Sequence, residues 1–261
     1  MIDLAAGAVL WTTALGAAVA WTLAGHDMRA ERVERGGASV LLGPRVQHAV
    51  YWAAGPVGRA LVRADIGANA ITIASVPLAA GAAVALARGH WGLGALFGGL
   101  SYACDALDGM VARLSATASE AGEVLDSVCD RICEAFLFGG IAIAWRASVP
   151  LLALVLLAGL GAQQVTLASA KTEVFRFARG RVPRGLMRRA ERAAYIVGGA
   201  ALAGMLLDLL PPSYARQVAQ VPLVLAMGLV AVLGNASALH RFASLALILR
   251  CAPRRGRGVA E

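Results

Sequence analysis

Four acidic side chains lie close together in this sequence. Of its eight aspartates, Asp105, Asp108, Asp126 and Asp130 fall within one window of 26 residues. Asp105 and Asp108 are spaced i, i+3 at the end of one apolar segment, and Asp126 and Asp130 are spaced i, i+4 at the start of the next. Each pair therefore shares one face of a helix. A helical hairpin would bring the two faces together.

Carboxylates that converge near the hydrocarbon region of a membrane must be protonated or neutralised by cations. Acids in that position are therefore treated as functional. Hard divalent cations with all-oxygen coordination, Mg2+ or Mn2+, are their natural partners. The alternative is that the acids form interhelical ion pairs with Arg113 and Arg131, although four acids outnumber these two arginines.

The residues between the acids indicate the kind of substrate. Gly109 follows Asp108 directly, and Gly122 precedes the second acidic pair, so backbone and ligand can approach closely there. Arg113 adds a planar cation suited to phosphate or to a carboxylate. Metal, glycine and arginine together favour a pyrophosphate-type substrate and a displacement at phosphorus.

This stretch resembles the signature of the CDP-alcohol phosphotransferase family. The signature reads D-x-x-D-G-x-x-A-R, then eight residues, then G-x-x-x-D-x-x-x-D. Every fixed position matches, and the matching residues are Asp105, Asp108, Gly109, Ala112, Arg113, Gly122, Asp126 and Asp130. The resemblance covers about residues 66 to 241 and leaves the first 65 residues outside.

The resemblance implies a reaction and a role for each matching residue. Members of the family transfer the phosphatidyl group of a CDP-linked donor, usually CDP-diacylglycerol, to an alcohol and release CMP. By similarity, Asp105, Asp108 and Asp126 would be ligands of a two-metal site, and Asp130 would complete it and act as the general base. The floor for cytidine and diphosphate would be formed by Gly109, Ala112, Arg113 and Gly122.

Two further positions show a weaker match to the family. Asn69 and Thr72 resemble its N-x-x-T start of the first core span, which implies a contact with the diphosphate. Capping of that helix by Asn69 is an equal alternative.

The acceptor side is indicated by cations at the ends of two apolar segments. They resemble elements of family members that take phosphorylated polyols such as inositol phosphate, whose phosphate an arginine can hold bidentately. The candidate acceptor-binding residues are Lys171, Arg188, Arg189 and Arg192. The alternatives are that these cations mark a cytoplasmic loop, and that glycerol 3-phosphate is the acceptor.

The elements that must position these residues are transmembrane helices. The chain has 261 residues, of which 59% are hydrophobic and 15% charged, so it is predicted to be an all-α polytopic membrane bundle. Before the core lie an apolar segment at 4–25, whose crossing of the bilayer is left open, and an interfacial, amphipathic segment from His26 to Asp65. Six core spans are predicted at approximately 70–88, 91–111, 122–145, 149–170, 193–210 and 219–240.

The predicted domains are 1–65, a core at 66–245 and a basic tail at 246–261. Cations concentrate between the fourth and fifth core spans and in the tail, which predicts an active site on the cytoplasmic side. The excess of arginine over lysine is typical of GC-rich coding and predicts a bacterial plasma membrane. We attribute the net charge of +8 to the excess of cations in cytoplasmic loops and to contact with anionic lipid. No nucleic-acid partner is expected. A homodimer is implied by the family resemblance.

Two rival functions remain open on the sequence. The same intramembrane acids would suit a cation-coupled transporter, although that leaves Gly109, Ala112, Arg113 and Gly122 unexplained. A family member that has lost catalysis is the other rival, although it would be expected to have lost at least one acid. The four cysteines show no CxxC spacing and are predicted to be buried thiols.

Overall fold

The computed structural model describes residues 1–23, 43–175, 182–183 and 185–251. These ranges contain nine helices and no strand. In chain order the helices are α1 Ile2–Leu23, α2 Gly43–Arg63, α3 Ala68–Ala87, α4 Trp91–Leu114, α5 Glu120–Ala144, α6 Val149–Val174, α7 Arg189–Leu209, α8 Pro212–Val218 and α9 Val221–Cys251.

Five of these helices, α1, α3, α6, α7 and α9, are long and apolar enough to cross a membrane. The chain is thus an integral membrane protein, and the predicted all-α polytopic class is confirmed. The acid-bearing helices α4 and α5 are not among the five, although they are 24 and 25 residues long. Both pack against the core, and Ser101, Asp108 and Glu134 are buried in it.

Several helices extend beyond the apolar runs that predicted them. Helix α6 continues to Val174 rather than 170, α7 begins at Arg189 rather than 193, and α9 continues to Cys251 rather than 240. For α7 and α9 the reason is that charged residues in these turns are paired inside the protein, Arg192 with Glu134 and Arg241 with Ser169. Hydropathy alone ends a span where such residues begin.

Helix α1 lies against the bundle and begins at the end opposite the acids. Asp3 accepts hydrogen bonds at the start of α4, from the backbone N–H of Leu93 at 3.0 Å and at 3.0 Å from His90. Asp208, at the end of α7, accepts from the N–H of Leu4 at 2.9 Å and pairs with the amino group of Met1. Helix α1 packs on α4 and α7, so it runs parallel to the acid-bearing helix.

Small residues allow the helices to approach closely. A Cβ atom at Gly140 of α5 would lie 2.6 Å from the backbone oxygen of Ala83 in α3, so no larger residue fits without displacement. Small residues at helix interfaces are the usual packing device of membrane bundles. Helix α3 therefore lies tightly against α5 as well as α4, and it closes one side of the acidic hairpin.

The interfacial segment predicted before residue 66 contains α2. This helix packs on α4 near the acidic end, where Gly58 approaches Met110 and Leu114. Many predicted loop and tail cations lie outside the described residues; among them are Arg29, Arg32, Arg35, Arg176, Arg179, Arg181, Arg184, Arg254, Arg255 and Arg257.

Candidate active site

A short turn between α4 and α5 forms the predicted hairpin. It occupies residues 115–119 and includes Ala116 in the left-handed region, with φ of 53°. Ser119 caps α5 by accepting a hydrogen bond from the backbone N–H of Gly122 at 3.1 Å. The chain reverses within one turn, so the end of α4 faces the start of α5.

Three of the four acids meet across this hairpin. Asp105, Asp108 and Asp126 each offer a carboxylate oxygen, and these oxygens lie within 4.8 Å of one another. Asp108 is buried, while Asp105 and Asp126 are partly exposed. Three convergent carboxylates at this spacing are a donor set for a hard divalent cation.

Asp108 is held on both oxygens. Its Oδ2 accepts a hydrogen bond from the hydroxyl of Thr72 at 2.6 Å, and its Oδ1 accepts from the backbone N–H of Gly109 at 2.5 Å. Thr72 is buried on α3. The position of Asp108 is therefore set by a third helix, in the way that outer groups orient metal ligands.

A cavity of about 640 Å³ opens beside these acids. Asp108 and Asp126 form part of its wall. All six residues predicted to bind the nucleotide or diphosphate also line it, namely Asn69, Thr72, Gly109, Ala112, Arg113 and Gly122. The structure thus brings together two predicted sets whose members are separated by up to 57 residues in sequence, from Asn69 to Asp126.

The sequence interpretation missed the other polar wall of this cavity. Thr117, Ser119, Glu120 and Glu123 lie on the turn and on the first helical turn of α5, and all four line the cavity. Their signal was present, because a serine followed by acidic residues is a typical helix start. It indicates a helix terminus and carries no information about what the terminus faces.

Asp130 lies one helical turn from Asp126 and is in contact with an arginine. The Nη1 atom of Arg189, in α7, lies 2.5 Å from Asp130 and 2.5 Å from Asp105. Its guanidinium group also lies over the ring of Tyr102, 5.3 Å from the ring centre. One arginine thus joins Asp130 to the acid group, and Tyr102, which the sequence did not single out, supports it.

Arg192 occupies a different environment. It is 1% exposed, and its guanidinium group donates to Glu134 at 2.5 and 3.1 Å and to the backbone oxygen of Met187 at 3.0 Å. Glu134 is also 1% exposed. The two side chains form a buried ion pair between α5 and α7, one turn deeper in the bundle than the contact of Arg189.

The remaining predicted acceptor residues lie where α6 ends and α7 begins. Lys171 is exposed in the last turn of α6, and Arg188 precedes α7, where its backbone N–H donates to Glu191 at 2.5 Å. Arg241 of α9, absent from the sequence-based set, donates to Ser169 at 2.7 Å. It brings a further cation to this end, and it was missed because it lies inside an apolar run.

Fold and site together define a class: a polytopic helical membrane protein with a group of carboxylates suited to a divalent cation beside a ligand-sized cavity. The sequence model of the CDP-alcohol phosphatidyltransferase family matches residues 66–233. The chain belongs to the CDP-alcohol phosphatidyltransferase family, and it is a transferase of that class.

Two curated relatives support this assignment. Phosphatidylinositol phosphate synthase of Corynebacterium glutamicum is 32% identical over 155 residues, which are 58% of this chain and 69% of the relative. The enzyme of the same name from Mycobacteroides abscessus is 30% identical over 154 residues, which are 57% of this chain and 68% of that relative.

Solved structures share the fold. The crystal structure of Mycobacterium tuberculosis phosphatidylinositol phosphate synthase with CDP-DAG bound has a TM-score of 0.61 and 24% identity, and the match covers 79% of this chain and 98% of that one. A structure of the same enzyme with manganese and citrate has a TM-score of 0.62 and 24% identity, covering 78% and 92%.

Proposed function

We propose that this protein transfers the phosphatidyl group of CDP-diacylglycerol to a phosphorylated polyol such as inositol phosphate and releases CMP. The observation that carries the proposal is the position of Arg189. This arginine joins Asp130 to the acid group, beside a cavity lined by all six predicted nucleotide residues. The names of both curated relatives support the choice of acceptor.

The cavity would hold the cytidine and diphosphate of the donor. Gly109, Ala112 and Gly122 leave room for the diphosphate to approach the backbone, and Arg113 offers a cation at the rim. Asn69 and Thr72 complete the wall on α3. Since Thr72 already donates to Asp108, we assign it to holding that carboxylate rather than to the diphosphate.

The acid group would hold Mg2+ or Mn2+ as a two-metal site, with Asp105, Asp108 and Asp126 as ligands and Asp130 at its edge. The donor set fits, because all the groups are carboxylates and their oxygens lie within 4.8 Å for the first three. When bound, the metals supply charge neutralisation at the diphosphate. Thr72 and the backbone of Gly109 keep Asp108 oriented for this task.

Asp130 would act as the general base. Its carboxylate would accept the proton of the acceptor hydroxyl as the hydroxyl oxygen attacks the phosphorus that carries the diacylglycerol. The new P–O bond forms while the bond to the CMP oxygen breaks, and CMP leaves with the electron pair. The transfer needs no covalent enzyme intermediate.

Arg189 is the proposed anchor for the acceptor's phosphate, with Lys171, Arg188 and Arg241 as further cations at the same end of the bundle. An arginine beside the base would place the acceptor hydroxyl next to Asp130. We exclude Arg192 from this set, because its guanidinium group is buried and paired with Glu134.

The membrane arrangement is proposed on the same grounds as the site. The acidic end carries exposed cations, namely Arg59, Arg63 and Lys171, and this supports an active site on the cytoplasmic side. The bacterial origin of both relatives supports the plasma membrane as its location. The homodimer and the domain limits at 65 and 245 remain predictions.

Incorporation of radiolabelled acceptors into extractable lipid tests the proposal. Purified protein with CDP-diacylglycerol and Mg2+ is expected to convert labelled inositol phosphate into a phospholipid. Incorporation of labelled glycerol 3-phosphate, without that of inositol phosphate, would overturn the acceptor assignment while leaving the reaction class intact.

A further inference from the structure

One guanidinium group neutralises two acids that have different tasks. The Nη1 atom of Arg189 lies 2.5 Å from Asp105, which belongs to the candidate cation group, and 2.5 Å from Asp130, the proposed base. A carboxylate oxygen that arginine holds at this distance is not available to a further cation or to the hydroxyl group of an acceptor. Both acids are therefore restrained while Arg189 stays in this position.

Arg189 is not fully hydrogen-bonded in this position. Its Nε is buried and makes no hydrogen bond within the described part of the chain. A guanidinium group offers five donors in a planar fork, which matches a phosphate group bidentately. The ring of Tyr102 lies 5.3 Å beneath the guanidinium group and can support it without fixing it to one carboxylate.

The neighbouring ion pair keeps α7 in place while Arg189 changes partner. Arg192 and Glu134 lie one helical turn away, each with 1% of the side chain exposed. Because this pair is fully buried, it cannot exchange with a ligand. Arg189, at 17% side-chain exposure, borders the solvent-accessible end of the same interface.

We infer that Arg189 is a substrate-operated gate on Asp130 and Asp105. The phosphate group of the acceptor draws the guanidinium group away from both carboxylates, so that the base and the cation site become fully available when a phosphorylated acceptor binds. This inference rests on the proposed function and extends it to the choice between acceptors with and without a phosphate group. A polyol without a phosphate leaves Arg189 on Asp130 and is a poor acceptor even when it occupies the site.

The affinity for Mn2+ tests the proposed gate without catalytic turnover. Free Mn2+ is determined by electron paramagnetic resonance on the full chain in detergent, without CDP-diacylglycerol. Inositol phosphate is expected to tighten Mn2+ binding by about tenfold, within the usual range of coupling between two sites. The variant Arg189→Gln should bind Mn2+ that tightly without inositol phosphate, and should show no further gain when it is added.

The matched control is Arg146→Gln, which removes the same charge at the opposite end of the bundle, where Arg146 donates to the backbone of Ile143. Its Mn2+ affinity, with and without inositol phosphate, should equal that of the wild type. Chelation of Mn2+ by inositol phosphate in solution affects all samples equally. Equal Mn2+ affinity of the wild type with and without inositol phosphate would overturn the gate. That measurement needs no variant, so it stands even when Arg189→Gln does not fold.

Acceptor selectivity gives the second readout. For Arg189→Gln, kcat/KM is expected to fall with inositol phosphate and to rise with free inositol, by about the same tenfold factor. An unchanged value for free inositol would mean that Arg189 merely binds phosphate, and a fall for both acceptors would mean that it is structural; either result contradicts the gate. Failure of the wild type to use inositol phosphate at all would instead contradict the proposed function.

Discussion

At the scale of single residues, the position of Asp108 depends on a hydroxyl group from another helix. Thr72 donates to Asp108 at 2.6 Å from a site that is 4% exposed. Thr72→Val removes this hydrogen bond at nearly constant volume, and it is expected to weaken Mn2+ binding by about 10-fold to 100-fold, the usual effect of losing an outer-shell partner. Thr72→Ser keeps the hydroxyl and is the control. Equal affinities of the Val and Ser variants would show that the hydrogen bond has no such role.

The chemistry of the acids could be read from the sequence, because the spacing of Asp105, Asp108 and Asp126 already fixes which helix faces they share. The different acidic partners of Arg189 and Arg192 could not be predicted from the sequence. Both lie in the first turn of α7, carry the same charge and share one helix face at i and i+3, and the rise between them brings the first to Asp130 and the second to Glu134, one turn further along α5. That difference depends on where α7 lies along α5, which is a tertiary property.

At the scale of helices, the contact between α3 and α5 depends on a missing side chain. Gly140→Ala would place Cβ 2.6 Å from the backbone oxygen of Ala83, and overpacking of this kind costs about 1–3 kcal/mol. The adjacent Gly139 has open space at its Cβ position, so Gly139→Ala is the matched control. Thermal unfolding in detergent should show a lower Tm for the first variant alone. Similar Tm values for the two variants would contradict this packing.

The buried pair between α5 and α7 gives a second prediction for helix packing. Glu134→Gln leaves Arg192 buried with a neutral partner, a change expected to cost about 3–5 kcal/mol. The double variant Glu134→Leu with Arg192→Met removes both charges and should recover most of the lost stability. The free energy of unfolding in detergent and denaturant measures both. A double variant as unstable as the single one would argue for a specific polar network instead.

The residues at which the helices begin and end were less predictable than the presence of the helices. The apolar runs predicted a helix at each of the six core positions, whereas the ends of α6, α7 and α9 extend past them through charged turns. Hydropathy reports transfer into lipid, and these turns are stabilised by partners such as Glu191 for the backbone of Arg188. The sequence therefore predicted the core helices and underestimated the length of their polar ends.

At the scale of the whole molecule, the contacts of α1 place its start at the end opposite the acids, and the proposed orientation puts that end outside the cell. Ile2 and Ala147 are at one end, and Ala64 is at the end that carries the acids. Single cysteines at these exposed positions should react differently with a membrane-impermeant maleimide added to intact cells. We expect labelling at 2 and 147 and none at 64. Labelling at 64 together with protection at 147 would reverse the proposed orientation.

The central claim is that the acids and Arg189 catalyse transfer from CDP-diacylglycerol to a phosphorylated polyol. It is tested most directly by CMP release from folded, Mg2+-loaded protein, with inositol phosphate, glycerol 3-phosphate and free inositol supplied one at a time. Release that requires inositol phosphate, and that is lost in Asp130→Asn, is the predicted result. No release with any acceptor, or undiminished release by Asp130→Asn, would contradict the account.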